Sequence, residues 1–123
     1  MKFAITLKKN SPQAILCLLS GAGADRTEKS STSFARYKGM SENQIEALDM
    51  QFYAFRPAYI YPTNPRKEPN LMYRITRMLY PIIKMFGKNA SITSKQLATS
   101  IFNVGINGAD KRTLENKDIL DYA

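Results

Sequence analysis

The sequence predicts an α/β fold built on a parallel strand-helix-strand unit, and three observations predict it. Residues 14–19 (Ala-Ile-Leu-Cys-Leu-Leu) form a continuous apolar run without alternation, the pattern of a strand buried on both faces of a sheet. Residues 33–48 follow with helical spacing, and residues 52–55 (Phe-Tyr-Ala-Phe) are a second short run, closed by Pro57 and Pro62. A crossover of this length is almost always right-handed and joins parallel strands. The carboxyl ends of both strands, after Leu19 and after Phe55, therefore open on the same edge, so that Ser20-Gly21 and Arg56-Pro57 face one cleft.

Taken in order, residues 1–9 have helical composition and stop at the breaker Asn10-Ser11-Pro12. After the first strand, Ser20, Gly21, Ala22, Gly23, Ala24 and Asp25 make a small-residue loop where a ligand crevice of an open α/β sheet lies. Its glycines admit a ligand or another backbone, although as turn residues they need neither. Residues 26–32 are a polar linker whose serines and threonines suit a helix cap. Wound at about 100° per residue, residues 33–48 bring Phe34, Tyr37, Ser41, Ile45 and Leu48 into one narrow stripe, with Lys38 inside it. A lysine there either snorkels, its stem covering the core while the ammonium escapes, or points into a cleft and binds hydroxyl or phosphate oxygens.

Residues 62–69 read as a proline-rich loop carrying Arg66 and Lys67. Residues 70–86 read as an amphipathic helix, broken near Pro81, with a basic flank of Arg74, Arg77 and Lys84. It packs on its own domain, caps a substrate pocket or lies on a membrane. A further helix opens at Ser91 to Gln96, with Thr93 as N-cap and Gln96 in the reciprocal capping position, and residues 105–108 end it. Residues 112–120 read as a short strand followed by one helical turn.

At 123 residues the chain is one domain. It has no histidine, so a histidine-based triad and a Cys/His zinc site are excluded, and no metal site is expected. The single cysteine, Cys17, excludes a disulfide framework and reads as a small buried hydrophobe. No segment has the length of a signal-peptide core or of a membrane span, which leaves a cytoplasmic location as the expectation. The net charge is +8 and concentrated centrally: between Asp49 and Asp110 the only acid is Glu68, against Arg56, Arg66, Lys67, Arg74, Arg77, Lys84, Lys88 and Lys95. That asymmetry suits an anionic partner: nucleic acid, a membrane surface, a phosphorylated cofactor or an acidic companion segment.

Four segments carry a family resemblance: residues 18–25 (Leu-Leu-Ser-Gly-Ala-Gly-Ala-Asp), residues 34–39 (Phe-Ala-Arg-Tyr-Lys-Gly) with Glu42-Asn43, residues 55–60 (Phe-Arg-Pro-Ala-Tyr-Ile) and residues 114–119 (Leu-Glu-Asn-Lys-Asp-Ile). In order and spacing they resemble the C-terminal half of atypical short-chain dehydrogenase/reductases of the NAD-dependent epimerase/dehydratase group. The resemblance implies that residues 1–123 form a single partial NAD(P)-binding domain, the C-terminal half of a Rossmann-like parallel sheet whose glycine-rich N-terminal half is absent. It implies NAD or NADP as cofactor. Lys38 then matches the lysine of the Tyr-x-x-x-Lys motif, which binds the nicotinamide ribose hydroxyls and lowers the pKa of the tyrosine. Arg56, Pro57, Ala58 and Tyr59 match the loop whose backbone groups meet the nicotinamide carboxamide, and Ser20 lies at the strand end that carries the catalytic hydroxyl. Candidate catalytic residues are thus Ser20 and Lys38, and candidate cofactor contacts are Lys38, Arg56, Pro57, Ala58 and Tyr59.

The chain departs from the family where chemistry is concerned. Phe34 stands where the catalytic tyrosine belongs, and Tyr37, adjacent to the lysine, leaves the helix about 100° away from it. No strand is followed by a glycine-rich phosphate turn. The resemblance therefore implies the nicotinamide and substrate side of a reductase-like or epimerase/dehydratase cleft, inactive alone, with a small-molecule substrate that the sequence does not identify. An N-terminal half, or a second copy meeting the exposed sheet edge, is the expected partner. A non-catalytic interaction module derived from the same fold is the alternative. A basic binder of nucleic acid or membrane is a third, disfavoured because the basic residues are scattered without a reading motif.

Overall fold

A strand that is apolar on both sides needs a layer of helices on each, and the fold meets that need within a short chain. The computed structural model describes residues 2–61 and 91–123. In chain order the elements are α1 (Lys2–Asn10), β1 (Leu16–Leu19), α2 (Ser33–Glu46), β2 (Phe52–Arg56), β3 (Tyr59–Tyr61), β4 (Ser91–Thr93), α3 (Ser94–Asn107), β5 (Thr113–Glu115) and α4 (Asn116–Asp121). The expected loop over 62–69 and helix over 70–86 lie outside the described residues.

Three strands form a parallel sheet in the order β1-β2-β5, with Leu16 opposite Phe52, Leu19 opposite Phe55, and Arg56 opposite Glu115. The expected parallel unit of β1, α2 and β2 is therefore present. Alternation along the strands divides the core in two. Leu16, Leu18, Phe52 and Ala54 pack with Ala4 of α1, Ile45 of α2 and Met50. Cys17, Tyr53, Phe55 and Leu114 pack on the opposite side with Leu97 and Val104 of α3 and Ile119 of α4. Phe55 and Ile119 are wholly buried, and removing such a side chain from water is worth about 1.5–3 kcal/mol.

The structure departs from the sequence expectations in several places. First, β3 and β4 pair as a second, two-stranded parallel sheet, Tyr59 with Ser91 through Tyr61 with Thr93. Each contributes three residues, too few to show a period. Second, the stripe assigned to α2 holds only at its C-terminal end: Ile45 is buried with Leu48 packed beside it, whereas Phe34 and Tyr37 are 54 % and 58 % exposed and the helix buries Gly39 and Glu42, which the stripe did not include. Third, the serine and threonine side chains before α2 do not cap it: Thr32 is the N-cap residue but makes no side-chain cap bond. The other cap is as expected, with Gln96 N–H donating to Thr93 Oγ1 (3.1 Å) and Thr93 N–H to Gln96 Oε1 (3.0 Å). Gly105 does not interrupt α3, which runs on to Asn107 and closes at Gly108. Among the described residues no helix is long and apolar enough to cross a membrane.

Candidate functional site

The carboxyl ends of β1 and β2 lie side by side, joined by Ser20 N–H donating to Phe55 O (2.8 Å) and Ala22 N–H donating to Pro57 O (3.0 Å). Ser20 and Arg56 meet there, as the crossover requires, and what joins them is Glu42 of α2. This carboxylate is fully buried. It accepts from Ser20 Oγ (2.7 Å), from Arg56 Nε (2.9 Å) and from Arg56 Nη2 (2.6 Å), with Arg26 Nε at 3.9 Å. Arg56 also reaches Glu115 across the β2-β5 pair at 3.0 Å. Burial alone pushes the Glu42 carboxyl up; the hydrogen bonds from Arg56 and Ser20 and the charges of Arg56 and Arg26 outweigh it and hold the group below the usual carboxylate range. The same contacts raise Arg56 further above the ordinary guanidinium value, against the opposing effect of its own burial.

The loop from Gly21 to the start of α2 is a built structure rather than a slack linker. The Asp25 carboxylate accepts from Thr27 N–H and Oγ1, Lys29 N–H and Ser30 N–H, and the hydrogen bond from the Thr27 side chain leads the causes that lower its pKa. Arg26 donates to Asn43 Oδ1 (2.7 Å) and pairs with Glu46, and Asn43 Nδ2 donates back to Arg26 O (2.8 Å). Gly39 allows this contact: a Cβ there would sit 1.7 Å from the carbonyl oxygen of Asp25.

Lys38 is half-buried, with its ammonium 3.3 Å from the carbonyl oxygen of Leu19, the last residue of β1, and 5.6 Å from the centre of the Phe34 ring. The lysine stem lies against the sheet and its charge sits at the carboxyl end of β1. The Phe34 ring packs directly over Gly21. Of the remaining candidates, Ala58 donates its N–H to Asn116 Oδ1 (3.0 Å), the Pro57 carbonyl is taken by Ala22, and Tyr59 begins β3. Asn116 also donates to Ser91 O (2.8 Å), so one buried amide ties the loop after β2 to β4.

The arrangement can hold a charge pattern, but its polar groups are largely satisfied by one another. Ser20 donates its hydroxyl hydrogen bond to Glu42, Arg56 is paired with two carboxylates, and no phenol stands one turn before Lys38. Tested against a dinucleotide, the described residues offer a cation to a ribose but form no cradle for a pyrophosphate. Sequence reasoning missed Glu42, Glu115 and Asn116 as members of this site. One signal was available: Arg56 lies in a stretch nearly free of acids, so a buried Arg56 needs partners from elsewhere in the chain, and Glu42 stands one helical turn beyond Lys38.

Burial pushes the Cys17 thiol up, which makes it a poor nucleophile. Compared with known proteins, the chain matches no protein-family model and no curated sequence.

Proposed function

We propose that this chain is the nicotinamide- and substrate-side half of a reductase-like Rossmann fold of the epimerase/dehydratase group, and that it does not transfer hydride by itself. One observation carries the reading. A parallel β1-α2-β2 unit has Ser20, Lys38 and Arg56 at one sheet edge, the edge where such folds hold ligands. The order of the four sequence segments supports the family, and NAD or NADP is the ligand that order implies. Catalytic silence follows from Phe34 in place of a proton donor and from the commitment of Ser20 to Glu42.

The test is a fluorescence titration with NADH and NADPH on the folded chain and on Lys38→Ala. Saturable binding, weakened roughly tenfold by loss of one charge-assisted contact, supports the half-site. Folded protein without binding in either form refutes a nicotinamide role for Lys38.

A second reading, a non-catalytic interaction module, is favoured by the outer side of β1, where no described strand pairs. A groove of about 320 Å³ runs along it between Phe3, Leu18, Leu19, Gln44 and Ile45. An N-terminal half or a second copy would extend the sheet there, and light scattering with and without such a partner checks it.

A further inference from the structure

We propose that the cavity at the opposite end of the sheet is a binding site for a small organic cation, an ammonium carried on a flat apolar body. This site is independent of the Ser20 and Lys38 edge. Parallel strands have their amino ends together, and in front of them, between Ile15, Gln51 and the end of α3, lies a cavity of about 480 Å³, within the ~300–1,000 Å³ usual for small-molecule sites.

Three features give it a preference for positive charge. Asp110 lines it, and among the described residues no basic group pairs with this carboxylate. The neighbouring Lys111 is occupied by Asp118 at 3.3 Å. The carboxyl end of α3, a helix of 14 residues, supplies the second feature: Ile106 and Asn107 line the cavity, and the last turn contains no basic residue to offset the negative end of the helix dipole. Third, two aromatic side chains line the cavity, Tyr122 and the largely buried Tyr53, and aromatic rings attract cations. Among the described residues no lysine or arginine lines the cavity, in a chain of net charge +8.

The site is also held in shape. Gly108 turns the chain with φ +77°, and a Cβ there would lie 3.1 Å from Tyr53 Oη, so only glycine leaves the phenol in place. Asp110 N–H donates to Tyr122 Oη at 3.2 Å, which fixes the acidic residue beside the second ring. The lining is mostly polar, and Ile15 and Ile106 provide the smaller apolar part against which the body of the ligand would lie.

The probe is phenethylamine, followed by amide chemical shifts of the isotopically labelled chain, with phenylacetate and 2-phenylethanol as ligands of the same ring with opposite or no charge. The expected result is saturable shifts at Gln51, Gly108, Ala109 and Asp110 with the amine alone. Binding is expected to weaken roughly tenfold in Asp110→Asn, the scale of one charge-assisted contact, and to recover in Asp110→Glu. Asp110 is exposed, so its substitution leaves the fold intact, which the remaining amide shifts verify. Absence of saturable shifts with phenethylamine, equal binding of 2-phenylethanol, or unweakened binding in Asp110→Asn would each overturn the proposal.

Discussion

Glu42 is a fully buried charge, and its stability depends on hydrogen bonds from Ser20 and Arg56 and on the nearby charge of Arg26. Replacing it by glutamine leaves Arg56 and Ser20 facing a neutral amide; a loss of about 3 kcal/mol is expected, since breaking one side of a buried pair strands its partner, and urea unfolding measures it. The pH dependence has a definite sign. The folded-state pKa of Glu42 lies below its unfolded value, ordinarily about 4.3, so its contribution is complete above that value and disappears as pH falls through the lower, folded pKa. Melting temperature should therefore fall on acidification below the ordinary carboxylate range, and the fall should be shallower in Glu42→Gln; parallel pH curves for the two proteins would contradict the assignment. Little of this was legible in the sequence. Periodicity counts apolar residues, and it assigned the inward face of α2 to Phe34 and Tyr37. Of the buried face only Ile45 was in that stripe; the rest is a glycine and a glutamate, whose reasons for being buried lie in the loop after β1 and in β2.

At the scale of elements, the strands were legible because β1 and β2 are apolar on both faces, and α3 because its start carries a reciprocal cap. Thr93→Ala removes one bond of that cap and is expected to cost ~1 kcal/mol, read as a drop in the urea midpoint with unchanged slope. The loop after β1 was not legible as an ordered unit, because its order comes from a single carboxylate, Asp25, and from the absence of a side chain at Gly39. Gly39→Ala gains helix propensity but drives a methyl into the Asp25 carbonyl; a net loss of roughly 1–3 kcal/mol is expected from overpacking, with increased proteolytic cleavage in residues 21–32. An alanine variant as stable as the parent would show that loop and helix separate without cost. β3 and β4 escaped the sequence reading for a different reason: among the described residues each is paired only by the other, and β4 continues directly into α3.

On the scale of the whole molecule, the sheet has its hydrophobic weight in β2, covered on one side by α1 and α2 and on the other by α3 and α4. Phe55→Ala, at a position with no exposure on the α3 and α4 side of the sheet, is expected to cost ~3–5 kcal/mol; because a small domain unfolds as one unit, thermal unfolding followed by near-ultraviolet and far-ultraviolet circular dichroism should shift together. The ammonium of Lys38 lies on the last carbonyl of β1, at the side of the sheet where no described strand pairs. Charged side chains at strand edges hinder pairing with other chains, so Lys38→Ala is expected to increase self-association at high protein concentration, visible by light scattering. That outcome is separable from any loss of nicotinamide affinity, because it needs no ligand.

The strand order has a further consequence, which belongs to the time the chain is being made. β5 is the neighbour of β2, yet the residues that lock the two together, Arg56 and Glu115, are 59 positions apart. At ~5–20 residues per second, a ribosome takes several seconds to add that interval, during which β2 has β1 on one side and nothing from β5 on the other. Until β5 has been made and released from the ribosome, the edge of Phe52–Arg56 lacks its partner strand, and the residues around Glu115 decide when that pairing forms. Interrupting synthesis before residue 113 should leave a product that aggregates, although it contains the entire crossover.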